Sequence, residues 1–139
     1  MNNNETVYIL DSFAILAYLG SEAGEGQVKD ILNKAKLGTD SALMSLINLG
    51  EVAYITEKGR GLAKAQEVLA VIEQLPIEII QVDLETVLTA AHIKANYPVA
   101  YADAFTIAAA QSHNGYIVTG DPEFETVEDI VRIEWIGER

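Results

Sequence analysis

The 139-residue sequence predicts an α/β protein: a three-layer α/β/α sandwich around a mostly parallel central sheet, in one domain spanning residues 1–139. Three observations predict it. Short apolar runs of strand character alternate with longer segments of helical period along the whole chain, which requires crossover connections and therefore parallel pairing. The first run, Val7-Tyr8-Ile9-Leu10, is apolar at consecutive positions, as a strand covered on both faces is. Half of the residues are hydrophobic, with no repeat, low-complexity block or linker between them, which suits a single core.

In chain order, Val7–Leu10 reads as a buried strand that ends on Asp11, and Phe13–Leu19 reads as a helix. Gly20 to Gly26 holds three glycines in seven residues and reads as a loop. Val28, Ile31, Leu32 and Ala35 recur at helical spacing, and Gly38 supplies the stop. Ala42–Ser45 is a short strand leading into a helix from Leu46 to Lys58, ended before Gly59, with Leu46, Leu49 and Ala53 as its core stripe. Leu62–Leu75 is a further amphipathic helix closed by Pro76, and Ile77–Val82 is a strand. Leu84–Ala95 is helical until Tyr97-Pro98 interrupts it, because proline disfavours helical geometry in its predecessor. Ala102–Ser112 forms an alanine-rich helix closed near Asn114-Gly115, and Tyr116–Thr119 is the next strand. Gly120-Asp121-Pro122 is turn chemistry, and Val131–Ile136 alternates as an edge strand.

Composition narrows the function. Without cysteine there is no disulfide, thiolate metal site or cysteine nucleophile, and any metal has to be held by oxygen or histidine. The amino terminus lacks a basic leader region and no long uncharged apolar segment exists, so a soluble, cytoplasmic protein with no membrane association is expected. Twenty-one acids against 9 bases leave a net charge of -12, which repels polyanions at long range and favours a basic protein partner.

In open α/β sheets ligands bind beyond the carboxyl ends of the strands, and four acids fall at such points: Asp11, Glu51, Asp103 and Asp121. Singly, each has a structural explanation. Asp11 can cap the helix behind it, Asn48 and Glu51 can be a solvated pair on one helix face, Asp103 suits the first turn of a helix, and Asp121 before Pro122 initiates turns. Together they repel one another unless a cation lies among them, and oxygen-only, anionic ligation favours magnesium or manganese. The chemistry such a site supports is phosphodiester hydrolysis.

Four stretches carry a resemblance: Ile9-Leu10-Asp11-Ser12, Ser45-Leu46-Ile47-Asn48-Leu49-Gly50-Glu51-Val52, Ala102-Asp103-Ala104 and Thr119-Gly120-Asp121-Pro122-Glu123-Phe124. In this order and at these intervals the sequence resembles the PIN-domain ribonucleases, most closely the VapC-type toxins of toxin-antitoxin pairs. The resemblance implies a Mg2+- or Mn2+-dependent endoribonuclease acting on RNA, with Asp11, Glu51, Asp103 and Asp121 as an acidic quartet. Asp11 and Asp103 are the strongest ligands, with Glu51 and Asp121 ligating directly or through water. It further implies Ser12 and Thr119 as hydroxyl neighbours, Asn48 as polar support, a cognate antitoxin across the early helices, and a homodimer. Glu123 reads first as a solvent-exposed turn residue and only second as a ligand.

His92 and His113, on different helices, read as structural, His113 through the helix dipole. Lys58, Arg60 and Lys64 form the one short basic concentration and are the side chains to test for RNA phosphate contacts. The six tyrosines and Trp135 are assigned to no base-stacking role, since core packing explains most aromatics. Two other functions compete. A receiver-like magnesium-binding signalling module also gathers acids at strand ends, but Ser12 rather than an acid follows Asp11, and no lysine occurs in Thr119-Gly120-Asp121. A PIN scaffold that binds without cleaving is the other, and the presence of all four acids argues against it.

Overall fold

The computed structural model describes residues 5–137; residues 1–4, which carry most of the amino-terminal stretch read above for a leader, lie outside it, as do the last two. The elements are β1 (Val7–Leu10), α1 (Ser12–Leu19), α2 (Glu25–Leu37), β2 (Ser41–Ser45), α3 (Leu46–Arg60) and α4 (Leu62–Glu73). They continue with β3 (Glu78–Ile80), α5 (Leu84–Asn96), α6 (Tyr101–His113), β4 (Tyr116–Thr119), a 3-10 segment (Pro122–Val127) and β5 (Arg132–Trp135).

All five expected strands form, and every pairing between them is parallel, in the order β3-β2-β1-β4-β5. From β1 the chain builds outward through β2 to β3, then returns across the sheet to place β4 on the other side of β1. The reversal opens a crevice at the carboxyl ends of β1 and β4, the usual ligand position in such sheets. This order also separates the protein from receiver-like modules, whose strands run 2-1-3-4-5.

Both faces of the sheet are covered, which explains the unbroken apolar runs. Ile9 lies beside Leu43 and Ile117, and these three face α5, α6 and the 3-10 segment, against Ile93, Phe105, Ile107 and Phe124. Leu10 lies beside Val118, and with Met44 they face the opposite way, against Ile15, Val28, Ile31 and Val52 of α1, α2 and α3. Alternation within each strand thus serves two cores. Helix α6 is buried from Asp103 through Ala110, and its run of alanines lets it lie close to both the sheet and its neighbouring helices.

Helix ends differ from expectation where side chains or glycine geometry decide them. Helix α3 continues through Gly59 to Arg60; mid-helix glycine costs only about 1 kcal/mol in propensity, whereas Gly61, at φ 90 and ψ 164, sits in a region open only to glycine and ends the helix. Strand β3 covers three residues of the six expected, because its edge position leaves a single partner and the chain turns off toward Asp83, whose carboxylate caps α5 through Thr86 N at 2.8 Å. Helix α2 starts at Glu25, inside the stretch read as loop, after Gly24 at φ 99. Tyr97 is extended before Pro98 and breaks α5 from α6 as anticipated. None of the helices among the described residues is long and apolar enough to cross a membrane.

Candidate metal centre at the carboxyl edge of the sheet

Asp11 leaves the end of β1 and caps α1, its Oδ1 accepting the Ala14 amide hydrogen at 2.8 Å. Its Oδ2 accepts the hydroxyl proton of Thr119, the last residue of β4, at 2.5 Å. The same Thr119 oxygen accepts from Asp121 N at 3.0 Å, so one buried hydroxyl ties the first strand's acid to the fourth strand's. Asp121 in turn caps the 3-10 segment, accepting from Glu123 N at 2.9 Å, with Pro122 preset for that first turn.

Two helices complete the edge. Helix α3 brings Asn48 and Glu51: Ser12 donates its hydroxyl to Glu51 Oε1, and Asn48 Nδ2 lies 3.4 Å from Ser12 Oγ and 3.5 Å from that same Glu51 oxygen. Helix α6 brings Asp103 in its first turn, where the exposed amide dipoles favour a carboxylate. No side chain caps α6 at Ala100; instead Glu123 reaches across and accepts from Ala100 N at 2.5 Å.

One ligand oxygen each from Asp103, Asp121 and Glu123 can be chosen so that all lie within 4.8 Å of one another, the spacing for a shared cation. Asp11 and Glu51 stand outside that trio yet close enough to act on it. Burial, and then repulsion from Glu123, Asp11, Glu51 and Asp121, pushes the Asp103 carboxyl up to about 8. Burial pushes Asp11 up to about 7, with Asp121 and Glu51 adding to the rise, although the Thr119 and Ala14 hydrogen bonds oppose it. Asp11 is 2% exposed and Asp103 8%. The ion pair found among the described residues is Lys64–Glu67 on α4, so no described basic side chain pairs with these acids. A cluster of buried, mutually repelling carboxylates with oxygen-only donors suits a hard divalent cation.

Glu123 therefore belongs to the acid cluster, although its turn position reads as solvent-exposed; Pro122 winds the segment back and the Ala100 amide holds the side chain in. Thr106, absent from the sequence reading, donates its hydroxyl to Asn48 Oδ1 at 2.7 Å. A threonine one turn after Asp103 in an otherwise alanine-rich helix was the available signal. The basic residues are not brought together with the acids. Lys58 and Arg60 lie seven and nine residues beyond Glu51 on α3, about 10 and 14 Å along the axis, and Arg60 and Lys64 line a groove between α1, α3 and α4. His113 lies at the far end of α6 from Asp103.

Comparison with known proteins accords with this architecture. No curated protein sequence matches the chain. Among solved structures, a chain of the VapBC2 complex from Rickettsia felis, bound to a DNA fragment from its promoter, superposes with a TM-score of 0.73 at 17% identity, covering 94% of this chain and 99% of that one. A chain of DNA-bound VapBC from Salmonella typhimurium gives 0.72 at 20% identity over 93% and 97%. The sarcin-ricin loop cleaving toxin VapC20 of Mycobacterium tuberculosis gives 0.69 at 15% over 92% and 98%. At these identities the likeness is one of fold. The sequence itself matches the PIN domain over residues 8–130, and with an acid at the end of β1 answered by others from α3, α6 and the β4 turn, this chain belongs to the PIN-domain family.

Proposed function

We propose that this protein is a metal-dependent endoribonuclease, the toxin of a toxin-antitoxin pair, hydrolysing RNA phosphodiester bonds at the acid cluster. The observation that carries the reading is the convergence of Asp103, Asp121 and Glu123 within 4.8 Å, with Asp11 and Glu51 in electrostatic reach, in a PIN-domain chain. Asp103, Asp121 and Glu123 are the residues that would hold Mg2+ or Mn2+, and Asp11 and Glu51 complete the charge around it. Such an ion, when bound, supplies positive charge to the scissile phosphate and acidifies an attacking water. The chain's own part is to fix the acids: Thr119 and the Ala14 amide immobilise Asp11, Ser12 and Asn48 immobilise Glu51, and the Ala100 amide holds one Glu123 oxygen. Lys58 and Arg60 enter only as contacts to RNA flanking the cleaved bond, and Lys64, engaged with Glu67 at 3.4 Å, is the weakest of the three.

An antitoxin partner is part of the proposal. The groove between α1, α3 and α4 is floored by Leu16, Leu19, Ile55, Val68 and Val71, an apolar surface that suits an amphipathic segment, and the net charge of -12 suits a basic one. A homodimer, implied by the family resemblance, fits the exposed Leu84 and Leu88 on α5. The test is RNA cleavage by purified protein in Mn2+ or Mg2+. Cleavage should stop with a chelator and in Asp11→Asn and Asp103→Asn; cleavage undiminished in Asp103→Asn would rule the mechanism out.

A further inference from the structure

Helix α6 carries two polar residues inward, one turn apart: Asp103, and Thr106 three residues on and on the same side of the helix. Thr106 is fully buried. Its single hydroxyl proton has two acceptors in range, Asn48 Oδ1 at 2.7 Å and the Ala102 carbonyl at 3.4 Å. Threonine in mid-helix ordinarily returns its proton to its own helix. Here the shorter bond crosses to α3.

The recipient is also fully buried. The two ends of the Asn48 amide have nearly the same shape and opposite hydrogen-bonding character. A proton delivered to Oδ1 settles which end faces the site: the NH2 is turned to Ser12 Oγ and Glu51 Oε1. Reversed, the amide oxygen would confront the Glu51 carboxylate. We propose that Thr106 is a positioning residue of the nuclease site, acting through the Asn48 amide to hold the Glu51 carboxylate in place beside the acids of β1 and α6. This rests on the metal-site reading above. Thr106 touches neither metal nor RNA; it sets the orientation of a residue that touches Glu51.

Thr106→Val preserves shape and removes the proton. Mn2+ titration of the full-length protein at pH 8 is expected to show about tenfold weaker binding, the usual size of an outer-shell effect, and RNA turnover should lose kcat with little change in KM. Thr106→Ser, which keeps the hydroxyl, should recover most of the affinity. Added to Asn48→Ala, Thr106→Val should change Mn2+ affinity less than twofold, since the route through the amide is already cut. If the valine variant does not fold, Thr106→Ala measured against Thr106→Ser reads the same hydroxyl. Wild-type Mn2+ affinity in Thr106→Val, or a full loss persisting in the Asn48→Ala background, overturns the inference while leaving the metal site standing. A wild-type protein that binds no Mn2+ overturns both.

Discussion

Replacing Asp103 by asparagine is expected to stabilise the metal-free protein while removing its response to divalent ions. Asp103 is 8% exposed, faces four other carboxylates and titrates near 8 in the folded state, against roughly 3.9 for an unfolded aspartate. Below pH 4 the group is protonated in both states and costs nothing. Between about pH 4 and pH 8 the folded state holds a proton that the unfolded state has released, so stability falls as pH rises and the loss is complete above pH 8. Each pK unit is 1.36 kcal/mol, and allowing for water reaching the exposed edge of the carboxylate, the penalty at pH 8.5 is on the order of 3 kcal/mol. Asparagine escapes it, and no hydrogen bond described above ends on Asp103 to be lost with the charge. For a chain of this size the gain corresponds to a Tm higher by roughly 10 °C. Thermal melts in EDTA at pH 5.5 and 8.5 should show the mutant's advantage widening with pH; millimolar Mn2+ should then raise the Tm of the wild type and leave the mutant unchanged. A mutant less stable than wild type at pH 8.5 in EDTA, or one equally stabilised by Mn2+, would refute the reasoning.

Further outcomes follow from the same geometry. Because burial and mutual repulsion push Asp11 up to about 7 and Asp103 up to about 8, a cation bound among them would have to displace their protons. Mn2+ affinity should therefore rise steeply between pH 6 and 8, and calorimetry in buffers of different ionisation enthalpy should detect released protons; an affinity flat across that range would contradict the assignment. Gly61→Ala should cost about 1–3 kcal/mol in denaturant melts, since φ 90 with ψ 164 is reserved for glycine; a neutral result would mean the α3–α4 junction relaxes freely. A Cβ at Gly120 would overlap the Phe13 ring. Gly120→Ala should cost about 1 kcal/mol and be largely relieved by Phe13→Ala, because the half-exposed ring is what the methyl displaces.

The parts of the fold legible in the sequence were those decided locally. Consecutive apolar residues at Val7–Leu10 reflect a strand flanked by two cores, and Tyr97-Pro98 broke the helices where backbone sterics demanded. Strand order was not legible, because nothing local records that β4 returns to pair with β1. Nor was the end of α3, where Gly59 and Gly61 are chemically alike and only φ and ψ tell them apart. At the site, Asp11, Glu51, Asp103 and Asp121 stood out through motif spacing. Glu123 was legible only as a second reading behind an exposed turn residue, and Thr106 not at all, because their partners Ala100 and Asn48 lie 23 and 58 residues away and meet them only in the folded chain.

The most direct test is manganese-edge anomalous diffraction from crystals soaked in MnCl2 at pH 8. A peak within ligand distance of the Asp103, Asp121 and Glu123 carboxylates, beside Asp11, is the expected result. Soaked crystals with manganese bound elsewhere and nothing among these carboxylates would contradict the account.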